Sequence, residues 1–79
     1  MGTKSIPQAF GEVLRDYRTK AGLSQENLAF KSELDRTYIS LLERGLRQPT
    51  LETLFRIAGV LEITPATMIA RTSTRMGSV

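Results

Sequence analysis

Between Gln25 and Gly45 the chain carries side chains suited to reading a pattern of donors and acceptors. Arg36 ends in a planar fork of N–H donors, the group that matches O6 and N7 of guanine in the major groove of a duplex. Thr37 and Ser40 can bond bases or phosphates. The Thr37 methyl and Leu41 can each touch a thymine methyl. Asp35 is first a helix cap and second an acceptor for cytosine N4. Gln25 opens a helix, where its amide and the helix N–H groups can hold a phosphate together. The cations Arg44 and Arg47 suit flanking phosphates, and Tyr38 either reaches a phosphate with its hydroxyl or packs partly against the core. This is the chemistry of recognition, with no bond made or broken.

The rest of the composition agrees. There is no cysteine, which excludes disulfides, thiolate metal sites and thiol nucleophiles, and no histidine, the usual general base and the commonest metal ligand. Glu12, Asp16 and Glu43 show no spacing that makes an acid–base pair. No catalytic residue, metal or cofactor is expected. Eleven Lys and Arg against eight Asp and Glu give a net charge of +3. That excess is modest and points only weakly to an acidic partner. Seventy-nine residues make one small domain. No apolar run approaches the roughly 20 residues of a membrane helix, and Met1 to Ser5 lacks the apolar core of a secretory signal. The expectation is a cytoplasmic, nucleoid-associated protein without a membrane partner.

The elements that position these side chains follow from apolar spacing at helical period. Ser5 and Gln8 make a capping box, with Pro7 in the first turn. Phe10, Val13, Leu14 and Tyr17 then share one face of a helix over 6–21, which Gly22 stops. Ser24 caps a second helix from Gln25 to Lys31 or Ser32. Asp35 caps a third, Arg36 to Arg44, which Gly45 ends. Thr50 caps a fourth whose core stripe is read as Leu51, Leu54, Phe55, Ala58 and Leu61. Thr64-Pro65 restarts a short fifth. Residues 1–5 are expected to be an arm, 6–71 the domain, and 72–79 a flexible tail. Leu28, Ala29, Leu34, Ile39 and Leu42 form a seam between the second and third helices, a helix-turn-helix at about 25–44. Phe30 should lean outward and cover a neighbouring loop. Gly59, inside the fourth helix, suggests a close backbone approach.

The run from Leu23 to Gly45, with Pro49-Thr50-Leu51-Glu52-Thr53-Leu54, resembles the Cro/C1-type (XRE-like) helix-turn-helix family over about residues 8–70. Locally, Leu34 to Ser40 with Glu43-Arg44 resembles the controller proteins of restriction–modification systems. The resemblance implies a compact, all-α, five-helix bundle of the lambda-repressor-like DNA-binding type. It also implies a dimeric repressor or activator on double-stranded DNA, with RNA polymerase as a further partner. Gln25 matches the family's phosphate-binding glutamine, and Arg36, Thr37 and Ser40 its base-facing positions. Arg18 and Glu43 match a buried ion pair tying the first helix to the third. Two positions depart from the pattern. Glu33 stands where glycine is common in the turn, so the turn is either strained or shaped differently. Leu41 stands where some members carry glutamine, so it either touches a thymine methyl or faces the dimer.

Ile63, Met68 and Ile69 are more apolar than a frayed end requires and are read as a dimer interface. Two rival readings stand beside that of a dimeric regulator on a near-palindromic operator. One is an antitoxin-like or adaptor module that binds protein. The other is a small carboxylate enzyme.

Overall fold

Each helix starts at a side-chain oxygen. In the computed structural model, which describes residues 4–77, α1 spans Ile6–Lys20, α2 Gln25–Ser32, α3 Arg36–Glu43, α4 Leu51–Leu61 and α5 Pro65–Arg75, with no strand among the described residues. Ser5 Oγ accepts from the Gln8 N–H at 3.3 Å while Gln8 Oε1 accepts from the Ser5 N–H at 3.1 Å. Ser24, Thr50 and Thr64 cap the N–H groups of Asn27, Thr53 and Thr67. Asp35 Oδ1 accepts from the Thr37 N–H at 3.0 Å. Each cap pairs a donor that the first turn would leave open, a contribution of about 1 kcal/mol. The expected all-α class and element order hold. Two ends shift by one residue: α1 stops at Lys20, with Gly22 at φ 74°, and α3 at Glu43, with Arg44 as its cap.

α1 packs against both α3 and α5, and α2 against α3 and α4. Leu28, Ala29, Ile39 and Leu42 are buried and Leu34 partly so, forming the expected seam. Phe10, Val13 and Leu14 meet that seam from α1, and Leu54, Ile57, Ala58, Leu61 and Met68 from α4 and α5. Burying an aliphatic side chain of this size contributes about 1.5–3 kcal/mol.

Several expectations fail for identifiable reasons. The close backbone approach is at Gly11, not Gly59. A Cβ added to Gly11 would collide with the carbonyl oxygen of Leu42 and sit 2.6 Å from that of Glu43, whereas one added to Gly59 would meet nothing within 4 Å. Gly11 lies where α1 crosses the end of α3. Gly59 lies on the solvent side of α4.

On α4, Leu51 and Phe55 are 71% and 61% exposed, and the buried stripe is Leu54, Ile57, Ala58 and Leu61. Apolar residues cover so much of α4 that two stripes share the helical period. Packing against α2 and α5 selects between them. Phe30 leans outward as expected, but at 84% exposure it covers no loop.

The expected tail at 72–79 is helical as far as Arg75. Thr72 is buried and its hydroxyl donates to the Met68 carbonyl at 2.8 Å. Arg75 reaches back to Asp16 at 2.5 Å and Glu12 at 3.1 Å on α1. Lys4, in the expected arm, bonds Glu12 at 2.6 Å. Lys4 and then Arg75 hold the Glu12 carboxyl below its ordinary pKa. These ties come from α1, so local composition at 72–75 could not reveal them. Residues 1–3 and 78–79 lie outside the described residues.

The turn between α2 and α3 takes its usual left-handed form despite carrying glutamate. Glu33 sits at φ 59°, ψ 43°, and the next N–H, of Leu34, donates to Ala29 O at 2.8 Å. A side chain in that conformation costs roughly 1 kcal/mol. The ion pair of Glu33 with Arg56, 3.7 Å long and solvent-exposed, offsets little of this. Glu33→Gly is therefore expected to raise the melting temperature by about 4–8 °C, the shift that 1 kcal/mol produces in a domain of this size. A lower melting temperature would show that the turn holds no such strain.

Candidate nucleic-acid interface

α3 is short, and its two sides differ sharply. Ile39 and Leu42 are buried. Arg36 and Thr37 are exposed, and Ser40 and Leu41 half-exposed. At 3.6 residues per turn these last side chains fall within an arc of about 140° on the side away from the core. Arg36 is the first residue of the helix, directly after the Asp35 cap. Tyr38 is half-buried and packs partly against the core, one of the two expectations for it. One Asp35 carboxylate oxygen is engaged by the Thr37 N–H.

The eleven Lys and Arg differ in whether they meet a carboxylate. Lys4, Arg18, Arg56 and Arg75 each meet a carboxylate. Arg36, Arg44 and Arg47 are exposed and enter no ion pair among the described residues. Arg15, Lys20, Lys31 and Arg71 are likewise exposed and in no ion pair there, on α1, α2 and α5, so what marks the neighbourhood of α3 is that all three of its cations are free of carboxylates.

Gln25, at the first position of α2, is half-buried. Its Nε2 donates to Glu43 Oε1 at 3.0 Å. Glu43 accepts two further bonds from Arg18, Nε to Oε2 at 2.5 Å and Nη2 to Oε1 at 2.9 Å. Arg18 Nη1 also donates to Leu23 O at 2.9 Å. The Arg18 and Glu43 side chains are only 11% and 3% exposed. The hydrogen bonding to Glu43 raises the Arg18 pKa above its ordinary value, so the guanidinium stays charged. This is the α1–α3 ion pair that the resemblance implied. The link onward to Gln25 was not expected; the only sequence signal for it was a polar residue at a helix start near a carboxylate that also serves Arg18.

A second surface is apolar. Ile6, Phe10, Leu51, Leu54, Ile69 and Met76 line a groove of about 290 Å³ between α1, α4 and α5. Of the residues read as a dimer interface, Ile69 is 53% exposed and belongs to this groove, but Met68 is 0% exposed in the core and Ile63 packs partly against it. Met68 is thus a core residue: on α5 the side facing α1 and α4 passes through position 68, and position 69 is turned about 100° away. Leu51 and Phe55, read as core, supply exposed apolar surface instead.

A family model for the helix-turn-helix matches residues 14–68. The chain belongs to the Cro/C1-type helix-turn-helix family. It is 40% identical over 68 residues to control protein C.BamHI of Bacillus amyloliquefaciens, covering 85% of this chain and 84% of that one. Among solved structures, the clp gene regulator ClgR of Corynebacterium glutamicum superposes with a TM-score of 0.91 at 26% identity, covering 96% of this chain and 81% of that one. The restriction–modification controller protein C.Esp1396I, solved as a tetramer on its natural 35 base-pair operator, gives a TM-score of 0.82 at 32% identity, covering 95% and 99%. The family is one of DNA-binding regulators and not of enzymes. Among the described residues no single helix is long and apolar enough to cross a membrane.

Proposed function

We propose that the chain is a sequence-specific, double-stranded-DNA-binding transcriptional regulator of the restriction–modification controller kind, acting as a dimer on a near-palindromic operator. The observation that carries this reading is the outer side of α3, where Arg36, Thr37, Ser40 and Leu41 face away from the core and the nearby cations are unpaired. In the major groove, Arg36 reads guanine, Thr37 and Ser40 bond base edges or phosphate, and Leu41 meets a thymine methyl. Asp35, besides capping α3, accepts from a cytosine amine. Gln25, Arg44 and Arg47 grip the backbone, with the Tyr38 hydroxyl at the edge of that set. Leu51, Phe55 and Ile69 provide the apolar face on which a second copy docks. As a regulator it works on RNA polymerase, by excluding or contacting it, and its place is the cytoplasmic nucleoid.

Selection from a random DNA pool tests this reading. A bound site should emerge with half-sites about 34–36 Å apart, one turn of duplex. Absence of enrichment by a folded protein would overturn it and turn attention to a protein partner. On the selected site, Arg36→Ala should weaken binding about 5- to 150-fold, the loss of one bidentate base contact, and relax preference at one base pair per half-site. Equal losses on selected and random DNA would reduce Arg36 to a phosphate contact.

A further inference from the structure

We propose that the buried Arg18–Glu43 pair is a positioning device for Gln25, setting the amide of α2 for its phosphate as well as fastening α1 to α3. The inference rests on the reading of Gln25 as a phosphate contact and adds what holds it.

Glu43 Oε1 is shared between Arg18 Nη2 at 2.9 Å and Gln25 Nε2 at 3.0 Å. An ionised carboxylate can only accept. Of the two ends of the Gln25 amide, only the nitrogen can therefore face it, and one of that nitrogen's two hydrogens is used there. The other hydrogen stays available at the start of α2, beside the N–H groups that favour an anion. Free of Glu43, a glutamine at a helix start would sample several rotamers and both amide orientations, and would have to be ordered when DNA binds. Arg18 has a second part in this. A bare carboxylate beside a phosphate would repel it, and the two bonds from Arg18 neutralise Glu43 where α2 and α3 meet. The Arg18 bond to Leu23 O fixes the same guanidinium to the residue just before the Ser24 cap, so the pair is braced against the segment that carries Gln25.

The test replaces both charges at once. The double variant R18M/E43M leaves net charge unchanged, and exchanging a buried ion pair for apolar side chains of similar volume is often neutral for stability. It removes the acceptor of Gln25. Operator binding is measured for the wild type, R18M/E43M, Gln25→Ala and the triple variant, with a thermal melt of each. The expected result is about a tenfold loss in R18M/E43M, a similar loss in Gln25→Ala, and little further loss in the triple variant, as for residues acting through one contact. Wild-type affinity in folded R18M/E43M would overturn the proposal, as would losses that simply add in the triple variant. An unchanged Gln25→Ala would remove the phosphate role of Gln25 itself, and this inference with it. Should R18M/E43M fail to fold, the side-chain amide of Gln25 in the free wild type decides: shifted, slowly exchanging proton resonances are expected, and random-coil shifts with fast exchange would overturn the proposal.

Discussion

Gly11→Ala is expected to destabilise the domain by about 3 kcal/mol, while Gly59→Ala stabilises it by about 1 kcal/mol. Both glycines are helical, and alanine is the better helix former at either site by about 1 kcal/mol. Their surroundings decide the sign. The methyl at position 11 would press into the carbonyl oxygens of Leu42 and Glu43, and these belong to backbone, which cannot rotate away as a side-chain tip can. Relief requires α1 and α3 to separate, opening the contact made by Val13, Leu14, Ile39 and Leu42 and pulling Arg18 from Glu43. At position 59 the methyl enters open space. For a domain of this size, each kcal/mol moves the melting temperature by about 4–8 °C, so the variants should melt well below and slightly above the wild type. Equal shifts of one sign would mean that helix propensity governs both sites and that the α1–α3 crossing is looser than described.

Ile69→Asp and Met68→Asp, one residue apart, should fail in different ways. Ile69 is half-exposed at the apolar groove, so a carboxylate there stays hydrated in the monomer and is buried only if a second copy docks. The expected product is folded and monomeric in sedimentation. Its operator affinity should fall by about 10²–10⁴-fold, because linking two half-site contacts supplies that much avidity. Leu51→Asp should behave likewise. Met68 is fully buried, and aspartate there would have no partner for its charge, so that chain should not fold. An Ile69→Asp protein that sediments as a dimer would move the interface away from this groove.

The apolar groove also marks where sequence reasoning runs short. On α1 a narrow apolar stripe allowed one choice of buried side, and Phe10, Val13 and Leu14 are buried as the spacing predicts. On α4 the apolar arc is wider than the core it packs against. Leu51 and Phe55 keep the helical period yet face solvent. Small, polar residues after Ala70 predict a short fifth helix, and what extends it is α1, through the buried Thr72 and the reach of Arg75 to Asp16 and Glu12.

For the candidate site the division is similar. The outward placement of Arg36 and Thr37 was legible, because a cap at Asp35 and buried positions at Ile39 and Leu42 leave a helix only one way to face. The pairing of Arg18 with Glu43 was implied by family resemblance, while the bond from Gln25 to the same carboxylate depends on how three helices meet.

What the residues determine by themselves is therefore local. Caps, turn residues and helical spacing set where each helix begins, its approximate end, and which side of α3 is left for recognition, since these depend on interactions within a few residues of chain. Tertiary structure alone decides which of two apolar stripes on α4 is buried, that Met68 is core while Ile69 is surface, which glycine admits a neighbouring backbone, and that Glu43 serves Arg18 and Gln25 together. Each of these depends on the distance between elements far apart in sequence, and helical periodicity carries no information about that distance.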